Sequence, residues 1–105
     1  MKLRELAHGR TGDKGNNLNV SVICSDSKHY EHLRNVLTSE RVKVHLADVV
    51  KGDVVRYELP LLGAFNFVLE HALGGGVTRS LALDAHGKSM SAALLDIDVE
   101  EPRED

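Results

Sequence analysis

Leu18-Asn19-Val20-Ser21-Val22-Ile23-Cys24 carries the reading on which the fold turns. Leu18, Val20, Val22 and Cys24 fall on one side of an extended chain, and Asn19, Ser21 and Ile23 on the other. A period of two in a β-branched run describes a strand with one face toward a core. Just downstream, Ser25-Asp26-Ser27 offers N-cap oxygens, and Tyr30, Leu33 and Leu37 share one helical stripe with Val36 beside it. Thr38 and Ser39 end that helix and can cap another. Two readings compete for Val42 to Val50. Val42, Val44 and Leu46 alternate like a strand, whereas Val42, Leu46, Val49 and Val50 form a helical stripe ending near Gly52. The helix is preferred, because it is capped at both ends and uses four apolar positions rather than three.

Farther out, Val54 to Leu59 alternates again, with Val55, Tyr57 and Leu59 on one side, Arg56 and Glu58 on the other, and Pro60 closing the run. Phe65, Val68, Leu69 and Ala72 stand at i, i+3, i+4 and i+7, which predicts an amphipathic helix stopped by Gly74. Arg79 to Asp84 and Met90 to Val99 are predicted strands about the turn Ala85-His86-Gly87-Lys88. In the other direction, Leu3 to His8 is a short strand. Gly9 to Asn17 is so dense in turn formers that no regular element is expected there. Helices interrupting alternating strands predict an α+β domain: a ferredoxin-like sheet with helices packed on one face, on a split β-α-β plan. One domain is expected over residues 1–99, followed by a charged, frayed tail over 100–105.

Composition narrows the function. A net charge of -3, basic residues in runs no longer than a pair, and four aromatics argue against nucleic acid as a partner. The lone Cys24 sits in an apolar run, so a buried structural thiol is expected rather than a disulfide. No segment reads as a secretory signal or approaches a membrane span, so no membrane partner is expected and the expected address is the cytoplasm.

Two stretches carry a family likeness. His8-Gly9-Arg10-Thr11-Gly12-Asp13-Lys14-Gly15-Asn16 resembles the Ala-Arg-Ser-Gly-Asp-Lys-Gly-Asn loop of the small ferredoxin-fold domain of AtuA-like proteins, named for acyclic terpene utilisation. Arg56-Tyr57-Glu58-Leu59-Pro60, continuing through Gly63 to Phe67 and Ala72 to Ser80, matches a second stretch in the same order. Thr11 stands where that pattern has Ser, and the hydroxyl is kept. The resemblance covers about Leu3 to Val99. It implies a stand-alone copy of a domain otherwise found as an extension of a larger protein. It also implies an accessory role beside that larger protein in acyl-CoA or branched-chain catabolism.

The residues themselves suggest where chemistry would sit. Gly9, Gly12 and Gly15 free the backbone to aim amides at one spot, Arg10 and Lys14 add charge, and Thr11, Asp13, Asn16 and Asn17 add polar side chains. Such a concavity suits a phosphate or carboxylate. The plain alternative is a long hairpin turn in which Asp13 and Asn16 cap their own backbone. Gly74-Gly75-Gly76-Val77-Thr78-Arg79-Ser80 is a second candidate, with Gly75, Gly76, Thr78 and Arg79 able to approach an anion. Its alternative is a flexible connection. If the two segments meet at one end of the sheet, they form a single anion site. His8, beside the first segment, is a candidate base or ligand. His29, His32, His45, His71 and His86 read as surface or helix-end positions, and no metal site or cofactor is expected. Apolar residues on both sides of Leu18–Cys24 and of Met90–Val99 predict a further partner: a homo-oligomer, most simply a dimer, or a larger AtuA-like subunit.

Overall fold

A computed structural model describes residues 1–14, 17–47, 50–70 and 88–102. Four strands, β1 (Ala7–Lys14), β2 (Asn17–Cys24), β3 (Val54–Leu59) and β4 (Ala64–Leu69), make one antiparallel sheet in the order β1-β2-β4-β3. Helices α1 (Tyr30–Val36) and α2 (Ser39–His45) connect β2 to β3, and α3 (Lys88–Leu95) follows β4. Both β2 and β3 run antiparallel to β4, so they are parallel to one another with β4 between them. That is a split β-α-β unit, and the fold is α+β and ferredoxin-like.

The register explains which face is inside. Leu18 lies opposite Leu69, Val20 opposite Phe67, and Val22 opposite Phe65. Directly opposed residues share a sheet face, and all six are buried. Extending the row across β1 brings Ala7, Gly9 and Thr11 onto the same face, through the pairs Ala7–Cys24, Gly9–Val22 and Thr11–Val20. Leu33, Leu37, Val42, Met90 and Leu94 close the core from the helical layer. Helix α3 lies directly on Gly9: a Cβ there would stand 3.5 Å from Ser91 Cβ and 3.6 Å from Leu95 Cδ1. The helix distances are ordinary van der Waals contacts, and the tighter neighbour is the Ser21 carbonyl of β2 at 3.2 Å.

Several expectations hold at the residue level. Asp26 accepts from the Lys28 amide at 3.0 Å, and Tyr30, Leu33 and Leu37 are buried as the stripe requires. Thr38 caps α2 through the Arg41 amide at 3.1 Å. The helical reading of Val42 onward is correct through His45, with Val42, Leu46 and Val50 buried and Val44 76% exposed.

Four expectations fail. The segment from Phe65 is strand β4, not a helix. Val68, on the half-buried outward side, adds an apolar residue out of phase, so a helical stripe through Phe65, Val68 and Leu69 can be picked out by coincidence. Asn66 is the only polar interruption, and the alternation of Phe65, Phe67 and Leu69 is the true period. Met90 to Val99 is not a strand, because Lys88–Leu95 is helix α3 and the chain after it forms a single bridge at Asp98. Met90, Leu94 and Ile97 are the buried stripe at i, i+4 and i+7. Gly9 to Lys14 is not irregular but lies within β1, paired residue by residue with β2 up to Lys14 opposite Asn17. Leu3–Glu5 is a 3-10 turn, and the first strand starts only at Ala7. The strand expected at Arg79–Asp84 and the turn at Ala85–Gly87 lie outside the described residues.

Strand β3 turns its charged side inward, and this is a structural device. Arg56 and Glu58 lie opposite Phe67 and Phe65, on the helical face. The Arg56 guanidinium sits 5.4 Å from the centre of the Phe65 ring. It donates to the Arg34 and Leu37 carbonyls at 2.8 and 2.9 Å and pairs with Glu58 at 2.9 Å. Those carbonyls belong to the end of α1, where no intrahelical donor remains. On the other side of Phe65, Tyr30 stacks at a centroid distance of 4.8 Å.

Phe67 is fully buried in the middle of the central strand. Phe67→Ala is therefore expected to cost about 3–5 kcal/mol of stability, read as a lower urea midpoint. Val68→Ala, on the opposite and half-covered face, should cost clearly less.

Candidate functional site

The outward face of the sheet carries Asn19, Ser21 and Ile23 from β2, Ala64, Asn66 and Val68 from β4, and Val55, Tyr57 and Leu59 from β3. On β1 the positions opposite Ile23 and Ser21 are His8 and Arg10, both exposed. Between this face and the 3-10 turn Pro60–Leu62 runs a groove of about 470 Å³. One side of it is apolar, formed by Ile23, Leu59, Leu62 and Ala64. The other side is polar, formed by Arg10, Asn19 and Ser21. No acidic residue lines it among the described residues.

Local chemistry shapes the polar side. Asn66 donates to the Ser21 hydroxyl at 2.9 Å across the β2–β4 pair. Gly12 lies opposite Asn19, and a Cβ there would come within 3.2 Å of Asn19 Oδ1 and 3.3 Å of its Nδ2. The Asn19 amide occupies the space a larger residue would need. The corner beyond the groove is unusually apolar: Leu61 is fully exposed, Leu62 is 70% exposed and Tyr57 55% exposed. Pro60 sets the start of that turn and Gly63, at φ 59°, ends it in the left-handed region that glycine favours.

The expected site is thus divided. Arg10 and Gly12 face outward at the groove. Thr11 faces the core, where its Oγ1 is buried with no hydrogen-bond partner among the described residues. The sheet register takes up the backbone of residues 9–14. This stretch is therefore not the free glycine loop that its composition suggested. Asp13 and Lys14 end β1, opposite Leu18 and Asn17. Gly15, Asn16, Gly75, Gly76, Thr78 and Arg79 lie outside the described residues, as do His71 and His86. Of the groove residues the sequence pointed to Arg10, Thr11 and Gly12 and missed Asn19, Ser21, Ile23, Leu59, Leu62 and Ala64. The available signal was the adjacent pair Leu61-Leu62 inside a Pro–Gly turn, where apolar side chains have no core to enter.

Other reactive groups are quiet. Cys24 is buried, and desolvation pushes its thiol above the ordinary value, which disfavours the nucleophilic thiolate. Among the described residues no three His, Cys, Asp or Glu side chains cluster as metal ligands, and no helix is long and apolar enough to cross a membrane.

The family model for the AtuA ferredoxin-like domain matches residues 1–100. The chain belongs to the AtuA ferredoxin-like domain family. Neither curated proteins nor solved structures give a match. In this AtuA ferredoxin-like domain the second family stretch, Arg56 to Pro60, is the strand that fastens α1 to the sheet, and its continuation through Gly63 forms the apolar corner.

A second cleft lies away from the groove, between α2 and the C-terminal segment, lined by Arg41, His45, Ile97 and Asp98 among others. Here Glu100, where the sequence reading starts the tail, is clasped by Arg41 at 2.7 and 3.1 Å. His32 Nε2 lies 2.6 Å from the Glu100 carbonyl, and His45 Nε2 lies 2.7 Å from that of Ala93. The hydrogen bond from Arg41 is the main reason that the Glu100 carboxyl is held down at about 2. A carboxyl lowered in the folded state contributes stability above its ordinary range near 4.5, and that contribution is lost as pH falls toward 2. Wild type should therefore lose urea stability between about pH 5 and about pH 2 by a margin that Glu100→Gln does not show. Parallel curves for the two proteins would mean that the clasp contributes nothing.

Proposed function

We propose that this chain is an accessory domain, or small subunit, that works beside a larger AtuA-like protein in acyl-CoA or branched-chain (terpenoid) catabolism. Docking is through the outward sheet face and its corner, Tyr57, Leu59, Leu61 and Leu62. Family membership supports the reading, and one observation carries it: two leucines stand in water on a short turn bounded by Pro60 and Gly63. Covering a leucine side chain is worth roughly 1.5–3 kcal/mol. A fixed apolar projection of this kind is the anchor an interface uses.

A second reading, favoured by the groove beside Arg10, is a small stand-alone enzyme or ligand-binding protein for a phosphate- or carboxylate-bearing molecule of the acyl-CoA type. In this reading Arg10 holds the anion, Lys14 and Arg79 add charge, and His8 is the candidate base. The two readings are compatible, because a partner seated on the corner would also roof the groove.

Size-exclusion chromatography of the chain with a large AtuA-like protein tests the docking. Co-elution is expected for wild type and for Val44→Asp, whose side chain is exposed on the opposite layer. It is expected to be lost in Leu61→Asp with no change in thermal stability. A corner substitution that alters only the chain's own oligomeric state, with the large protein never bound, would assign the face to a second copy and overturn the proposal.

A further inference from the structure

We infer that the groove on the outward sheet face binds a small organic acid, a carboxylate carried on an apolar body of several carbons. The inference deepens the anion-binding reading above and rests on it.

The electrostatic half of the argument is Arg10. Arg4, Arg34, Arg41 and Arg56 each hold a carboxylate partner. Arg10 is exposed, and among the described residues it holds none and the groove it lines has no acid in it. A guanidinium presents a planar fork of donors that fits a carboxylate. Ser21 supplies a second donor. Its oxygen accepts from Asn66, so its own proton is still to be given, and the groove is the space it borders. The Asn19 amide adds donors in the same row. Among the described residues the polar side is therefore rich in donors and carries no negative charge. An anion completes it, and a cation does not.

The apolar half excludes a bare inorganic ion. Ile23, Leu59 and Leu62 line the groove with Arg10, and an inorganic phosphate would leave them wet. A carboxylate with an alkyl body satisfies both sides at once: its head reaches Arg10 and Ser21, and its body covers Ile23 and Leu59 beside Ala64. The volume of about 470 Å³ suits a small molecule, since such sites span roughly 300–1,000 Å³.

The full chain, labelled with ¹⁵N, is titrated with hexanoate, hexan-1-ol and inorganic phosphate while amide shifts are followed. Hexanoate should give saturable shifts at Arg10, Ser21, Ile23 and Ala64, and both other probes should bind more weakly. Arg10→Gln, at an exposed position on an edge strand, should keep a dispersed spectrum and bind hexanoate at least about tenfold more weakly. Arg10→Lys should recover part of the loss. Equal binding by wild type and Arg10→Gln overturns the inference. So does phosphate binding as tightly as hexanoate, or hexanoate shifts that spare Ile23 and Ala64. These readouts use the chain alone. Loss of co-elution with a large partner would leave this result standing, and absence of hexanoate binding would leave the docking standing.

Discussion

The inner face of the β2–β4 pair is the constraint to which the other elements conform. Three opposed pairs, Leu18 with Leu69, Val20 with Phe67 and Val22 with Phe65, form a continuous apolar strip down the middle of the sheet. Because β4 is the central member, β2 and β3 must run parallel on either side of it, and the chain between them has to cross over. Helices α1 and α2 make that crossing and cover the strip. Helix α3 completes the layer over β1, where it packs over Gly9.

Arg56 links this core to the helical layer. On an edge strand, charged residues facing inward block pairing with another sheet. Here Arg56 and Glu58 also complete the end of α1 and brace the Phe65 ring. One side of β3 is thereby committed to structure. Its other side, Val55, Tyr57 and Leu59, is left for the outward face. The same short stretch therefore serves both the stability of the domain and the surface assigned to a partner.

The outward face has the mixed character of a binding surface. Asn19, Ser21 and Asn66 form a polar row beside the apolar corner at Leu59 to Leu62, and Arg10 stands at its rim. Such a face tolerates water while empty and gains from a partner or ligand that is itself amphipathic. Its two proposed roles, docking and acid binding, use adjacent parts of one surface.

The strand at Leu18–Cys24, helix α1 after the Asp26-capped 3-10 turn Ser27–His29, the Thr38-capped α2, strand β3 and the α+β, ferredoxin-like class all follow from the order of residues alone. Each of these has a local cause: alternation with one covered face, an Asp or Thr cap, a Pro stop. The sequence also marked Arg10 as a candidate anion contact. Tertiary structure alone decided the rest. Phe65–Leu69 became a strand between β2 and β3 because Phe65, Phe67 and Leu69 all enter the core, while the apolar Val68 on the half-buried outward side blurs period two toward period 3.6. Lys88–Leu95 became a helix because Met90, Leu94 and Ile97, spaced at i, i+4 and i+7, are the residues the core takes in. The glycines of β1 serve neighbours across space, the Ser21 carbonyl of β2 at Gly9 and the Asn19 amide at Gly12. Composition along the chain cannot record contacts made by residues distant in sequence.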